Sequence, residues 1–269
     1  MKYFEFVPEG VKDCKVDAYL QTYGESSEMQ ERKIPAVVIC PGGGYGFTSD
    51  REAEPVAKDY FAAGYHVFIL WYAVGEKATN FYPLCQLAAT VAHVRKHAAE
   101  WSLDPNRVAV GGFSAGGHLA CSLGTLYNEP EFLKVWNRDD VIRPDAMILS
   151  YPVITADEYA HVGSIENVSG CAAGTEGYKW FGLDKHVDAA TPVSFLWHTA
   201  PDDCVPVENS LKFVTALSAN KVSFEMHIFP EGGHGMSVCT KETGSENAYN
   251  ARWMEWSIKW LNKVFSFEK

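Results

Sequence analysis

Residues 108–120 read VAVGGFSAGGHLA: a β-rich run, one serine set among four glycines, then a helix-like run. Glycine inside regular structure costs roughly 0.5–1 kcal/mol relative to alanine, so four around Ser114 mark a backbone that a residue with a Cβ cannot follow. Gly112, Ser114 and Gly116 make Gly-x-Ser-x-Gly at the junction of an expected strand and an expected helix. In that setting the pattern describes a sharp turn that lifts a serine hydroxyl to the edge of a sheet. The following helix adds free amides and the positive end of its dipole. Ser114 is the candidate nucleophile.

Outward from this turn, apolar β-rich runs recur: AVVIC (36–40), HVFILWY (66–72), RVAVGGF (107–113), DAMILSYPVI (145–154), VSFLWHT (193–199) and FEMHIF (224–229). They lack strict polar alternation, as strands covered on both faces do. Helical periodicity fills 51–64, 83–101, 115–127 and 206–220 between them. The alternation predicts an α/β fold with a mostly parallel, doubly wound sheet, in one domain over residues 1–269. Trp253, Trp256, Trp260 and Val264 fall at helical spacing near the end, a stripe read as core packing. The segment 155–191, rich in Gly, Ala and Ser without a sustained period, is read as an irregular lid.

Composition narrows the function. The net charge is −11 and no Lys/Arg cluster offers the phosphate-neutralising patch a nucleic-acid partner requires. The N-terminus has no continuous apolar run, and no window reaches about 18 apolar residues, so a cytoplasmic chain with no membrane partner is expected. The seven cysteines are odd in number, and Cys40, Cys85 and Cys121 lie in apolar runs, which points to reduced, buried thiols.

A serine hydroxyl needs a base, and the base an orienting carboxylate. In this architecture they follow in the order Ser, acid, His. His227 would be fixed within the strand FEMHIF, whereas His234 lies in the loop PEGGHGM just beyond it, so His234 is the base. The acid belongs after VSFLWHT, where Asp202 and Asp203 are adjacent and only one can face His234. For the oxyanion, Ala115 supplies one amide, and PGGGYG (41–46) supplies the other from Gly43 or Gly44. That glycine loop has neither of the nucleotide-binding spacings. His93 and His97, four apart on a helix, lack a third ligand and read as a solvated face, so neither metal nor cofactor is expected. His118 reads as a buried structural histidine.

Taken together, CPGGGY, REAEPVA, GFSAGGHLA, FLWHTAPDDCVPVENS and PEGGHG resemble the α/β-hydrolase superfamily, in particular small bacterial esterases related to acetyl-xylan and feruloyl esterases, from about residue 34 onward. The resemblance implies an acid in the form Asp-x-x-Val-Pro, which selects Asp202. It implies a serine carboxylic ester hydrolase that removes short acyl groups from a small-molecule substrate, an acylated carbohydrate such as a xylo-oligosaccharide. Tyr45, Phe113, Tyr151 and Met236 are the expected pocket residues. Tyr178, Trp180 and Phe181 of the lid are expected to offer flat surfaces to a pyranose ring. Two alternatives are a peptidase of prolyl-oligopeptidase type, for which about 33 residues ahead of the first core strand are too few to form a propeller, and a non-catalytic receptor on the same fold, which would not need all three residues.

Overall fold

The computed structural model describes residues 1–23 and 32–268. Residues 24–31 and 269, which the one-domain expectation includes, lie outside them. Among the described residues eight strands form one sheet: β1 (Lys2–Phe6), β2 (Lys15–Leu20), β3 (Ile34–Cys40), β4 (His66–Trp71), β5 (Leu103–Phe113), β6 (Ala146–Ser150), β7 (Val193–Thr199) and β8 (Phe224–Phe229), in the order β1-β2-β4-β3-β5-β6-β7-β8. The pairs from β4 to β8 are parallel, and β1 and β2 extend the sheet antiparallel.

Period-2 alternation distributes each central strand between two apolar layers. Ala36, Val38 and Cys40 of β3, with Phe68 and Leu70 of β4, pack against α2 (Tyr82–Lys96), α3 (Ala115–Leu126) and α7 (Glu208–Ala219). Val37, Ile39, Val67 and Ile69 face α1 (Glu54–Ala62) and α8 (Arg252–Phe265) on the other side. A strand buried on both faces has no reason to alternate polar residues, which is why these runs read as continuous. Of the α8 stripe, Trp253 and Trp260 are buried in the second layer, and Trp256 and Val264 pack partly against it.

Four expectations change. The sheet begins at Lys2, not at residue 36: KYFEF is an exposed edge strand, and KVDAYL, paired between it and β4, carries Lys15 and a buried Asp17, so neither shows a continuous apolar signal. A further short helix, α4 (Pro130–Trp136), lies where no element was expected. His93 and His97 are not on a solvated face. Their rings are half-buried in a column with Phe6 and Trp101, at centroid distances of 4.3 Å (Phe6–His93), 4.1 Å (His93–His97) and 4.9 Å (His97–Trp101). Finally, the segment 155–191 is not irregular: it holds α5 (Val162–Ser169), α6 (Glu176–Lys179) and a 3-10 turn (Leu183–Lys185). Tyr178, Phe181 and Leu183 are buried, and Trp180 packs edge-on against Phe81, so these rings anchor the segment and do not present a sugar platform. No helix among the described residues is long and apolar enough to cross a membrane.

Candidate active site

The chain leaves β3 for β4 on one side and later returns to β5 on the other side, so the strand order reverses between β3 and β5. Loops that leave the carboxyl ends of strands at such a point part from each other and open a crevice. Gly43 and Gly44 follow β3, Ser114 follows β5, Asp202 follows β7 and His234 follows β8, which brings all four loops to one edge of the sheet.

Ser114 adopts φ 54 and ψ −121, a conformation outside the regions open to residues with a side chain. Strain of this kind costs about 1–3 kcal/mol and persists only where the surroundings fix it. Here they do so from three sides: Ser114 N–H donates to Ser150 O at 3.0 Å, while Ser114 O accepts from His118 N at 3.0 Å and Val153 N at 3.1 Å. The glycines make the turn sterically open. A Cβ at Gly112 would sit 2.0 Å from Gly116 O, and one at Gly116 would sit 2.1 Å from Cys40 O, so the elbow crosses over both its own helix and the end of β3.

Ser114 Oγ lies 2.8 Å from His234 Nε2, and His234 Nδ1 lies 2.8 Å from Asp202 Oδ2. An ionised carboxylate only accepts, so Nδ1 carries the proton and Nε2 accepts from the serine hydroxyl. Asp202 is buried, whereas Asp203 is exposed. Asp202 Oδ1 accepts from Cys204 N at 3.0 Å and Val205 N at 2.9 Å, and Oδ2 also meets His198 Nε2 at 3.3 Å. Burial by itself would raise the pKa of Asp202, but the hydrogen bonds from His198 and His234 and from the Val205 amide outweigh it and hold the carboxyl well below the usual range. His227 remains in β8, bonded to Glu225.

The backbone N–H groups of Gly43, Gly44 and Ala115 find no acceptor among the described residues. Unused donors gathered beside one serine hydroxyl can receive negative charge that develops there. Two adjacent residues that carried no assigned role, Arg51 and Glu52 of the REAEPVA stretch, hold this region together. Glu52 is buried; its Oε2 accepts from Gly42 N at 2.8 Å and its Oε1 from Tyr151 Oη at 2.6 Å. Tyr151 Oη in turn accepts from Ser237 N at 2.8 Å. Arg51 donates to Gly235 O at 2.9 Å and Thr243 O at 2.8 Å, and its carbonyl accepts from the Ser237 hydroxyl. The glycine loop and the His234 loop are thereby fixed to each other.

A cavity of about 280 Å³ opens at Ser114, with Phe47, Arg51, Glu52, His161 and Cys204 in its wall. None of the four expected pocket residues lines it. Tyr45 is fully buried and donates to His118 Nδ1 at 2.8 Å; Phe113 and Met236 sit in the second core layer; Tyr151 lies beneath His234, ring to ring at 5.0 Å. These residues adjoin the motifs in sequence, but each directs its side chain into the protein. His118 is structural as expected: it donates from Nε2 to Phe181 O at 3.0 Å, and burial lowers its pKa to about 4. His198 could have been found, since it stands within FLWHTAPDD. His161 carried no pattern at all.

Comparison with known proteins places this geometry among relatives. The BD-FAE family model matches residues 20–161. Endo-1,4-beta-xylanase B of Butyrivibrio fibrisolvens is 34% identical over 218 residues, covering 78% of this chain and 34% of that protein. The acetylxylan esterase of Xylanibacter ruminicola is 30% identical over 215 residues, covering 76% and 42% respectively. The chain thus spans roughly a third to two fifths of the length of these curated relatives. Among solved structures, an acetyl ester-xyloside bifunctional hydrolase from Caldicellulosiruptor lactoaceticus superposes with a TM-score of 0.82 at 33% identity, over 95% of this chain and 89% of that one.

Proposed function

Because the chain belongs to the BD-FAE family and has an α/β-hydrolase fold, we propose that it is a serine carboxylic ester hydrolase that removes acetyl groups from carbohydrate, acting as one domain over residues 1–269. The observation that carries this reading is the continuous relay at 2.8 Å from Ser114 to His234 and 2.8 Å from His234 to Asp202, beside three unpaired amides. Ser114 Oγ attacks the ester carbonyl as its proton passes to His234 Nε2, and Asp202 stabilises the imidazolium. The amides of Ala115 and of Gly43 or Gly44 receive the oxyanion. Collapse of the intermediate expels the alcohol, which takes the proton from His234. Water then repeats the sequence against the acyl-enzyme and releases acetate and free serine.

The cavity supports a short acyl group. At about 280 Å³ it stands at the lower edge of the ~300–1,000 Å³ typical of small-molecule sites, a size suited to a short acyl group. Phe47 at its wall is 62% exposed and is a flat apolar surface against which a pyranose could lie. The acetylxylan esterase of Xylanibacter ruminicola and the acetyl ester-xyloside bifunctional hydrolase, both similar to this chain, agree with this substrate class. The test is acetate release from acetylated xylobiose beside hydrolysis of p-nitrophenyl acetate, butyrate and octanoate. Each added methylene should lower kcat/KM where a roomy pocket would gain about 0.8 kcal/mol from it. An optimum at octanoate, or no acetate from any sugar ester, overturns the reading.

A further inference from the structure

We propose that His161 is a specificity-determining residue whose Nε2–H donates a hydrogen bond to a hydroxyl of the sugar, a role that rests on the carbohydrate esterase reading above. His161 immediately precedes α5 and shares the wall of the cavity with Ser114 and His234. Its tautomer is set by its own helix. Nδ1 accepts from Ser164 N at 3.2 Å, a donor it shares with the His161 carbonyl at 3.1 Å, and lies 2.8 Å from Ser164 Oγ, whose hydroxyl can donate to it as well, so the ring caps the helix N-terminus. A backbone N–H can only donate, which makes Nδ1 the bare nitrogen. The proton of the neutral ring is then on Nε2.

Three further observations support a ligand contact. The hydrogen bonds that the His161 ring makes to described residues use Nδ1, and its carbonyl accepts from Ser164 N and Ile165 N, which leaves Nε2 without a partner among the described residues. The ring is held in place relative to the reaction centre, since Asn167 of the same helix donates from Nδ2 to Gly44 O at 2.8 Å. Burial, and then the charge of His234, lower the pKa of His161 against the opposing pull of Asp202, which favours the neutral ring. A fixed neutral donor beside the exposed ring of Phe47 is suited to a pyranose, which has apolar faces and hydroxyls at its edge. A site built to bond a hydroxyl discriminates against substrates that lack one there.

The test compares His161→Asn and His161→Ala with the wild type on acetylated xylobiose and p-nitrophenyl acetate. Asparagine is a good helix cap and keeps a side-chain oxygen for Ser164 N, but it is too short to place a donor in the cavity. The expected result is that the ratio of kcat/KM for the sugar ester over the aryl ester falls about 3- to 10-fold in both variants, the loss of one neutral hydrogen bond. Alanine should add a lower Tm that asparagine does not. An unchanged ratio in His161→Asn, with the wild type active on the sugar ester, overturns the assignment alone. If the wild type hydrolyses the aryl ester but releases nothing from the sugar ester, the carbohydrate reading and this assignment fall together.

Discussion

Replacing Asp202 by asparagine should lower kcat about 10⁴-fold, and the structure dictates how. The carboxylate has two distinct sides. Oδ1 accepts from the amides of Cys204 and Val205, which cannot reverse, while Oδ2 faces His234 Nδ1 and His198 Nε2. An asparagine must therefore keep its oxygen toward the two amides and turn its NH₂ toward His234. That NH₂ donates to Nδ1, so the imidazole proton moves to Nε2, the nitrogen that must be bare to accept from Ser114. The base is then in the wrong tautomer with its position nearly unchanged. The same exchange in a serine-protease triad costs about 10⁴-fold, or roughly 5.4 kcal/mol at 1.36 kcal/mol per decade. Asp203, which is exposed, should tolerate asparagine within about 2-fold, a surface change with little energetic consequence. Steady-state kinetics on p-nitrophenyl acetate, with active-site titration to count competent enzyme, read both variants. The opposite ranking, or an Asp202→Asn enzyme within tenfold of wild type, would refute the reasoning.

Ser114→Ala should lower kcat by about 10⁶-fold and abolish labelling by a serine-directed organophosphate, read by intact mass; a label that persists elsewhere rejects the elbow assignment. The pKa of Asp202 is depressed on folding, so its ionisation stabilises the protein above the unfolded value of 3.8, and that contribution is lost as pH falls below it. Acid titration by circular dichroism should accordingly show a shallower loss of stability in Asp202→Asn than in wild type. Glu52→Gln should destabilise by about 1–3 kcal/mol, because a glutamine accepts through one oxygen only and its NH₂, which can only donate, leaves either Gly42 N or Tyr151 Oη unpaired. Burial raises the pKa of Glu52 above 4.5, so the stability conferred by its protonated form is lost as pH rises through the folded value, and urea melts should show the deficit of the glutamine variant shrinking with pH; a deficit that grows contradicts the assignment.

Much of the fold was legible because its central strands are covered on both sides. β3, β4, β6 and β7, and β5 from Val108 onward, bury nearly every residue, so each appears in the sequence as an unbroken apolar run, and the helices between them show their own period. Ser114, His234 and the aspartate pair were legible for a different reason: each lies in a loop just after a parallel strand, and the order of the strands orders the candidates. The choice between Asp202 and Asp203 was not legible from the residues themselves. It depends on the chain turning back at Cys204 and Val205 to place two amides on one carboxylate and not the other. Strands β1 and β2 were missed because β1 is an exposed edge strand and the polar Lys15 and Asp17 of β2 break any continuous apolar run.

The pocket was misread for a reason that bears on how the site works. Residues adjacent to a catalytic motif are poor candidates for its walls, because the backbone there needs anchoring: Tyr45, Phe113, Tyr151 and Met236 all point inward as anchors. The walls come instead from segments distant in sequence. Phe47, Arg51 and Glu52 arrive from the loop after β3, His161 from the segment above the sheet, and Cys204 from the loop after β7. What joins these segments is polar. The bonds of Arg51 to Gly235 and Thr243, and the chain from Gly42 through Glu52 and Tyr151 to Ser237, link residues 86 to 192 positions apart wherever they cross between loops. Such contacts have no periodicity and no local composition, so no window of sequence reports them. Yet they fix the oxyanion loop relative to the base, and a misplacement of about 1 Å there can cost 10²-fold in rate. In the reaction proposed above the motifs therefore supply the reacting groups, while REAEPVA, which contains none of them, supplies the alignment that would let a strained serine, a loop histidine and a glycine amide meet at one carbonyl.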